Sequence, residues 1–320
     1  MRNKILFYSM FFCFFSCDMG EIPVPAHEVR DVLISEIEMG EDYRYQSFFN
    51  LFNNQIVSQN IKTDWDLAFE TSIEGWRIFL NSSKGGAAWK ISDEFFQNVP
   101  EINLANWEWD SPDGNLDSNA IGDYRNQSNH YVIDRGYDYE GIHLGYRKIR
   151  IDSVDSYGYS LRYATLDNSF DTIIWVAKNQ NVAKTCFSFQ THKVISIQPT
   201  SDNWDLVFTQ YTNLFYNPLT PYLVVGVLTN YPHVVVAVDT INDFSTISYA
   251  MIESYDFSEA QDIIGYDWKT YNYQSGTFSI NTNINYIIKD VNGRYFKLHF
   301  IDFYNSSGVK GYPKFEYQQL

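Results

Sequence analysis

Short runs of β-branched and aromatic residues recur along this chain from Tyr43 onward, and each run ends at Asn, Asp, Gly or Pro. This alternation is typical of β-strands joined by turns. Helical spacing of apolar residues is scarce, and the best candidate is the segment 258–264, where Ser258 and Gln261 are spaced as a capping box. The pattern therefore predicts an all-β fold of antiparallel strands with few short helices.

Two hairpins and a closing strand are predicted in the second half of the chain. Residues 222–228 and 233–238 flank a turn and are apolar at nearly every position, which predicts strands that are central in a sheet. Residues 286–289 and 295–300 flank a turn that contains glycine, which predicts a second hairpin. A further strand is predicted at 314–317.

One motif occurs twice. Residues 65–69 read Trp-Asp-Leu-Ala-Phe and residues 204–208 read Trp-Asp-Leu-Val-Phe, and an apolar strand lies upstream of each copy. In a strand, the period of two places Trp, Leu and Phe on one face and Asp on the other. We therefore expect two related β units, over residues 41–180 and 181–320. The alternative is a chance match between two common strand sequences.

The first residues have the order of a bacterial export signal. A basic start precedes an apolar run over residues 5–15, which is shorter than the roughly 20 residues that a transmembrane helix needs. Ser16 and Cys17 resemble a lipobox, in which Cys17 becomes the lipidated first residue; the alternative is an ordinary signal peptide that ends at a cysteine. We expect a signal peptide over 1–16, a lipidated flexible tether over 17–40, and a lipid-anchored place on the outer membrane, at the cell surface.

Composition narrows the class of partner. The chain has 320 residues, of which 45% are hydrophobic and 18% aromatic, so a large folded core is expected. The formal charge of −16 repels phosphate backbones, which excludes a nucleic-acid partner. If Cys13 leaves with the signal peptide and Cys17 carries lipid, Cys186 remains alone and the chain has no internal disulfide.

The segments 201–211, 224–228, 264–269 and 286–311 are together similar to the HmuY-like lipoproteins, and the resemblance is densest over 185–320. It implies an all-β, hand-shaped lipoprotein on the outer membrane. For the founding type it implies a haemophore, which holds haem between two axial ligands and delivers it to a TonB-dependent receptor.

Haem iron requires donors such as His or Met, and its macrocycle requires an apolar slot. The candidate donors in this chain are His233, Met251, His143 and His130. For His233, the alternative is an exposed turn histidine. The resemblance implies a ligand histidine in the loop near residues 272–283, yet that segment contains neither His nor Met.

A rival candidate site surrounds two tryptophans. Trp107 and Trp109 offer indole faces for stacking on sugar rings, and Glu108 offers a carboxylate for sugar hydroxyls. The same residues would also suit the edge of an aromatic strand with solvated acids. Trp76 and Trp89 are further candidates for such a platform.

The sequence gives little support for a metal site or for catalysis. Asp110, Asp113 and Asp117 gather oxygen donors in a short loop and form a weak calcium candidate, although their spacing is not that of an EF-hand. Zinc motifs, a phosphate loop and a nucleophile elbow are missing from the sequence, so we expect no enzyme. The leading hypothesis is capture of haem or a related porphyrin for an outer-membrane transporter. The alternatives are glycan binding and a non-catalytic adhesion or docking role.

Overall fold

The structure, a computed structural model, describes residues 30–92, 95–99, 101–125 and 130–320. The predicted signal peptide, Cys17 and most of the predicted tether lie outside these residues. Within them are twenty β-strands and short 3-10 helices, which confirms the all-β prediction. The strands are β1 Leu33–Glu36, β2 Tyr45–Asn50, β3 Gln55–Ile61, β4 Leu67–Glu70, β5 Ile78–Leu80, β6 Ala87–Ile91, β7 His130–Asp134, β8 Tyr146–Val154, β9 Gly158–Ala164, β10 Asp171–Ala177, β11 Lys184–Ser188, β12 Lys193–Ile195, β13 Leu206–Phe215, β14 Thr220–Thr229, β15 Val235–Asp239, β16 Lys269–Asn272, β17 Thr277–Ile280, β18 Asn285–Lys289, β19 Tyr295–Tyr304 and β20 Lys310–Gln319.

The strands form four larger antiparallel sheets and the hairpin β16–β17. Sheet I has the order β14-β13-β2-β3, and sheet II has the order β12-β11-β4-β5. Sheet III has the order β10-β9-β8-β7-β6, and sheet IV has the order β1-β20-β19-β18-β15. Helices contribute little, and the longest 3-10 helix in the described ranges is Tyr249–Ser254.

The four sheets stack in the order IV, I, II, III, because the period-two pattern gives sheets I and II two apolar faces. In β13, Leu206 and Phe208 belong to the core shared with sheet IV, whereas Val207 belongs to the core shared with sheet II. In β4, Leu67 and Phe69 pack in the core toward sheet III. Three successive cores therefore run through the molecule.

The predicted boundary near residue 180 does not separate the sheets. Sheet I joins β13 and β14, which follow residue 180, to β2 and β3, which precede it. Sheet II joins β4 and β5 to β11 and β12, which follow it. The two units thus exchange their first hairpins, since each Trp-Asp-Leu strand pairs with the hairpin that lies upstream of the other copy.

The two copies of the motif nevertheless have the same surroundings. The amide of Asp66 donates to the carbonyl of Phe187, and the amide of Asp205 donates to the carbonyl of Phe49. The side-chain amide of Asn81 donates to the carbonyl of Trp65 at 2.8 Å. The second unit repeats this bond from Asn230 to Trp204 at 2.9 Å. The repeat in sequence is therefore also a repeat in structure.

The prediction that Trp, Leu and Phe of the motif share one face is wrong for the tryptophan. Trp204 lies in the core between sheets I and II, whereas Leu206 and Phe208 lie in the core on the other side of sheet I. Asp205 is fully buried, not solvated. The reason is that the strand begins only at Leu206, so Trp204 precedes the regular alternation.

The first predicted hairpin is also wrong. β14 and β15 do not pair with each other; they are edge strands of sheets I and IV. Between them, the amides of His233 and Val234 both donate to the carbonyl of Asn230, and this turn redirects the chain to the second sheet. The second predicted hairpin, β18–β19, and the closing strand β20 are confirmed.

The segment 258–265, part of which is predicted as a helix, covers both of these edges instead. Ser258 exchanges two backbone hydrogen bonds with Val236 of β15, and Gly265 exchanges two with Val227 of β14. Its backbone groups are used by the sheets, so they are not available for a helix.

The predicted tether ends earlier than residue 40. β1 pairs with β20, and Ile37 and Met39 are buried in the core of sheets I and IV. This part of the chain therefore belongs to the folded body. Among the described residues, no helix has the length and apolar character needed to cross a bilayer.

Candidate functional site

An open groove of about 710 Å³ lies where β13 and β14 meet the hairpin β16–β17. We call it the aromatic groove. Its volume lies in the range of about 300–1,000 Å³ that is usual for small-molecule sites. Its aromatic lining residues are Tyr43, Phe215, Tyr222, Tyr266, Tyr271, Tyr273 and Phe278.

Ring contacts hold the floor of the groove and leave its rim open. The ring of Phe278 packs on Tyr271 at 4.9 Å and on Phe303 at 5.0 Å, which ties the hairpin to sheet IV. At the rim, Tyr273 is 88% exposed and Tyr222 is 59% exposed. Exposed aromatic faces of this kind mark a binding surface, because they remain available for stacking.

Two lysines lie in the groove. Lys310 places its ammonium 5.0 Å from the ring centre of Tyr43. Lys269 is buried and donates to the carbonyl of Val225, with its ammonium 4.1 Å from the ring centre of Trp268. Burial lowers the pKa of Lys269 to about 7, and the charge of Asp267 opposes that shift. Lys310 is therefore the more available cation for an anionic ligand.

The four predicted haem ligands do not line this groove. His233 is exposed beside Tyr231 and Pro232 in a separate pocket of about 370 Å³. Met251 is half-buried in the 3-10 helix Tyr249–Ser254. The structure thus separates these two side chains from the aromatic groove.

The other two candidate histidines lie in or beside sheet III: His130 begins β7, and His143 is in the loop before β8. His143 lies 2.8 Å from the carboxylate of Asp134 through its Nε2. His130 is buried at the start of β7, with its ring 4.9 Å from the ring of Phe96. Both are held by side chains of sheet III and its neighbouring loops, and neither lines the groove.

The three aspartates of the calcium candidate have separate partners. The carboxylate of Asp110 accepts the amides of Leu80 and Ala120 at 2.7 and 3.0 Å. Asp117 forms an ion pair with Arg77 at 2.8 Å, whereas Asp113 accepts a backbone amide in its own turn. In the ranges that the structure describes, no three acidic, His or Cys side chains are grouped to hold a metal.

The tryptophans of the glycan candidate lie along the edge of sheet III. Glu108 is exposed and pairs through its backbone with Ala88 of β6. The ring of Trp107 stacks on Tyr146 at 5.8 Å and meets Trp89 at 6.3 Å, so one of its faces is already covered. Trp109 is half-buried. The arrangement is that of an aromatic strand edge.

The hairpin β16–β17 is the element that sequence reasoning missed as a site. Its segment contains tyrosines and phenylalanine in place of the histidine or methionine that an iron ligand requires. Tyr271 and Tyr273 lie two positions apart before a turn with Gly276, and Phe278 follows, which is the pattern of an aromatic hairpin.

Residues 183–317 match the family described as HmuY protein. Because of this match, the segment is HmuY-like. The resemblance drawn from sequence is therefore confirmed over the segment from β11 to most of β20. This segment includes β13, β14, β16 and β17, and so most of the aromatic groove.

Solved HmuY-like structures are also similar to this chain. The apo HmuY analogue of Tannerella forsythia is 12% identical, with 92% of this chain and 98% of that chain covered and a TM-score of 0.33. A putative HmuY-like heme-binding protein from Bacteroides vulgatus is 20% identical, with 42% and 82% covered and a TM-score of 0.25. Apo PinO from Porphyromonas gingivitis is 9% identical, with 91% and 98% covered and a TM-score of 0.30. Among curated proteins there is no match.

The aromatic groove fits a flat ring system better than it fits an axially ligated iron. Its lining offers seven aromatic side chains, and the described residues of that lining include no His, Met or Cys. Tyrosine oxygen can ligate haem iron in some proteins. Burial raises the pKa of Tyr43 and of Tyr266, which disfavours their phenolate forms.

Proposed function

We propose that this HmuY-like chain is a non-catalytic binding protein that captures haem or a related porphyrin in the aromatic groove. The observation that carries the proposal is the joint presence of a groove of about 710 Å³ and a rim of exposed tyrosines within the family-matched segment. A flat macrocycle is the ligand shape that these aromatic faces suit best.

Stacking supplies the affinity in this proposal. An aromatic pair contributes about 0.5–1.5 kcal/mol beyond the burial of its area, and Tyr222, Tyr271 and Tyr273 offer three such faces. Lys310 lies at the same groove, where its ammonium would pair with a carboxylate of the ligand. The founding type's two axial histidines are not required for this mode of binding.

A titration with two porphyrins tests the proposal. The full-length protein in detergent is titrated with haemin and with metal-free protoporphyrin, and saturable absorbance changes are recorded for both. We expect both ligands to bind with similar affinity. Tyr273→Ala is expected to weaken both by about tenfold, since one stacked ring contributes about 1.4 kcal/mol at the upper end of its range.

The matched control is Tyr157→Ala, because Tyr157 is 77% exposed and lies outside the groove. Binding of haemin alone, with loss of its spectrum in His233→Ala, would contradict stacking and favour coordination at His233. Retardation in glycan-containing gels that depends on Trp107 or Trp109, without porphyrin binding, would favour the glycan alternative.

The proposal also includes the cellular location of the protein and the transporter that receives its ligand. The lipobox at Ser16-Cys17 supports a lipid anchor on the outer membrane, and the family resemblance supports delivery to a TonB-dependent transporter. Metabolic labelling with palmitate is expected in the wild type and is expected to be lost in Cys17→Ser.

A further inference from the structure

A cavity of about 120 Å³ lies between sheets I and II, apart from the aromatic groove. We call it the intersheet cavity. It lies between the two copies of the repeated motif, so that its walls come in equivalent pairs, such as Trp65 with Trp204 and Ala68 with Val207. Its volume is close to that of cavities of about 150 Å³ that hold benzene. A ligand of about six to eight non-hydrogen atoms fits this space.

The cavity is not a uniformly apolar void, because the pairs of wall residues differ in chemistry. Phe48 of β2 occupies the place that Cys186 of β11 has in the other unit, and Gln46 likewise corresponds to Lys184. Gln46 is satisfied, since its amide donates to Thr209 and its carbonyl accepts the indole of Trp65. Its counterpart Lys184 instead places its ammonium over the ring of Phe79.

Lys184 brings a cation to this wall without a hydrogen-bond acceptor. Its ammonium lies 3.7 Å from the ring centre of Phe79, and among the described residues no acceptor lies within hydrogen-bond distance of Nζ. Burial lowers the pKa of Lys184, and the charge of Asp110 opposes that shift. An anion in the cavity would stabilise this ammonium.

Two oxygen groups line the same space. Thr229 is 2% exposed, and its Oγ1 is buried without a partner in the part of the chain that the structure describes. Asp110 also lines the cavity, and its carboxylate accepts the amides of Leu80 and Ala120. A buried polar group without a partner is costly, so Thr229 points to a missing one.

We propose that the intersheet cavity binds a small carboxylate that carries a neighbouring hydroxyl or amino group. The carboxylate accepts from the ammonium of Lys184, and the hydroxyl or amino group bonds to Oγ1 of Thr229 and the carboxylate of Asp110. The apolar remainder lies between Trp65 and Trp204. This site is independent of the proposed porphyrin groove.

Gln261 is part of the cavity wall. Its side chain donates to the carbonyl of Pro112 at 3.1 Å, and its backbone amide donates to the carbonyl of Asp113 at 2.9 Å. These contacts join the loop around Gly114 to the segment that covers the sheet edges.

Four probes test the site on the full-length protein in detergent: lactate, L-alanine, propionate and propylamine. Trp65 and Trp204 line the cavity, so tryptophan fluorescence and the melting temperature report occupancy. We expect lactate and L-alanine to bind, propionate to bind more weakly, and propylamine not to bind. Equal responses to all four probes would mean that binding does not depend on a carboxylate, and no response to any probe would mean that the cavity takes up no such ligand. Either outcome would overturn the proposal.

The variant Lys184→Met removes the charge and keeps the length of the side chain. It is expected to weaken lactate binding by about tenfold or more, since a hydrogen bond to a charged group contributes about 1.5–3 kcal/mol. The control is Lys193→Met in the neighbouring strand β12, where the side chain is exposed. Unchanged lactate affinity in Lys184→Met would overturn the proposal, and if this variant does not fold, the probe series on the wild type decides. Porphyrin binding is measured separately and stays unchanged in either case.

Discussion

At the scale of single residues, Asp66 and Asp205 occupy the same position in the two copies of the repeated motif but have different electrostatic surroundings. Asp66 accepts from Lys84 at 2.5 Å and from Arg135 at 3.0 Å, and all three side chains are buried. Burial alone would raise the pKa of Asp66, but these two cations hold it below its usual value. Asp205 forms no such pair with any residue that the structure describes; its carboxylate accepts the amides of Leu51 and Val291.

This difference predicts unequal effects of the same substitution. Asp66→Asn is expected to lower the free energy of unfolding by about 3–5 kcal/mol, because it leaves two buried cations without their anion. Asp205→Asn is expected to cost at most about 1–2 kcal/mol, since it weakens only hydrogen bonds to amides. Urea unfolding at neutral pH measures both, and equal losses would refute the asymmetry.

Asp205 is expected to make the protein less stable as the pH rises. An ordinary salt-bridged carboxylate has the opposite effect, because its contribution to stability is lost as the pH falls. Burial raises the pKa of Asp205 from 3.8 to about 6, with the charge of Asp290 adding to the shift. The folded state therefore binds a proton more tightly than the unfolded state. This contribution to stability is fully present below about pH 4 and is lost as the pH rises through 6.

The free energy of unfolding of the wild type, relative to Asp205→Asn, is thus expected to fall by up to about 3 kcal/mol between pH 4 and pH 7. Urea unfolding of both proteins across this range gives the difference. Asp110 also has a pKa raised to about 6 by burial, but it is present in both proteins and cancels. Parallel curves would contradict the assignment.

At the scale of elements, the protection of sheet edges depends on a segment without regular structure. Residues 258–265 pair with β14 on one side and β15 on the other. Gly226 permits the approach, because a Cβ atom there would lie 2.3 Å from the carbonyl oxygen of Gly265. The edges are covered only as long as this contact remains close.

Gly226→Ala is therefore expected to destabilise the protein by about 1–3 kcal/mol through overpacking, and to increase amide exchange in residues 258–265. Gly122→Ala is the matched control, since nothing in the described ranges lies within 4 Å of a Cβ atom there. Urea unfolding and hydrogen exchange measure the two effects. Faster exchange in the control, or none in Gly226→Ala, would argue against the role of the close contact.

At the scale of the whole molecule, the exchanged hairpins make each half dependent on the other. β13 pairs with β2, and β4 pairs with β11, so a cut at residue 180 removes one of the two neighbours of each of these four strands. It also opens the core between these sheets, to which both halves contribute. The family-matched segment 183–317 thus completes its sheets with strands from outside itself.

We expect the fragment 181–320 to lack cooperative unfolding when it is expressed alone. The fragment 30–180 is expected to behave in the same way, and mixing the two is expected to restore the circular dichroism and the cooperative transition of the full chain. The full-length protein serves as the reference. A cooperative transition of 181–320 alone, at the urea midpoint of the full chain, would show that the exchange is not needed for folding.

The features that sequence alone determined are local. Alternation over short runs predicts the β class, and the glycine-containing turn predicts the hairpin β18–β19; the structure confirms both. Each depends on residues close together in the chain, where side-chain period and turn chemistry set the backbone directly.

Only the tertiary structure decided which strand lies beside which, and therefore where the sites are. The backbone of an apolar strand can form the same hydrogen bonds with any neighbouring strand. The sequence therefore predicts a hairpin of β14 and β15, whereas the structure places them in different sheets. The aromatic groove and the intersheet cavity each bring together residues more than a hundred positions apart, such as Tyr43 with Tyr273 and Trp65 with Trp204. Their geometry arises from the stacking of sheets and from the exchange of hairpins, which no local pattern encodes.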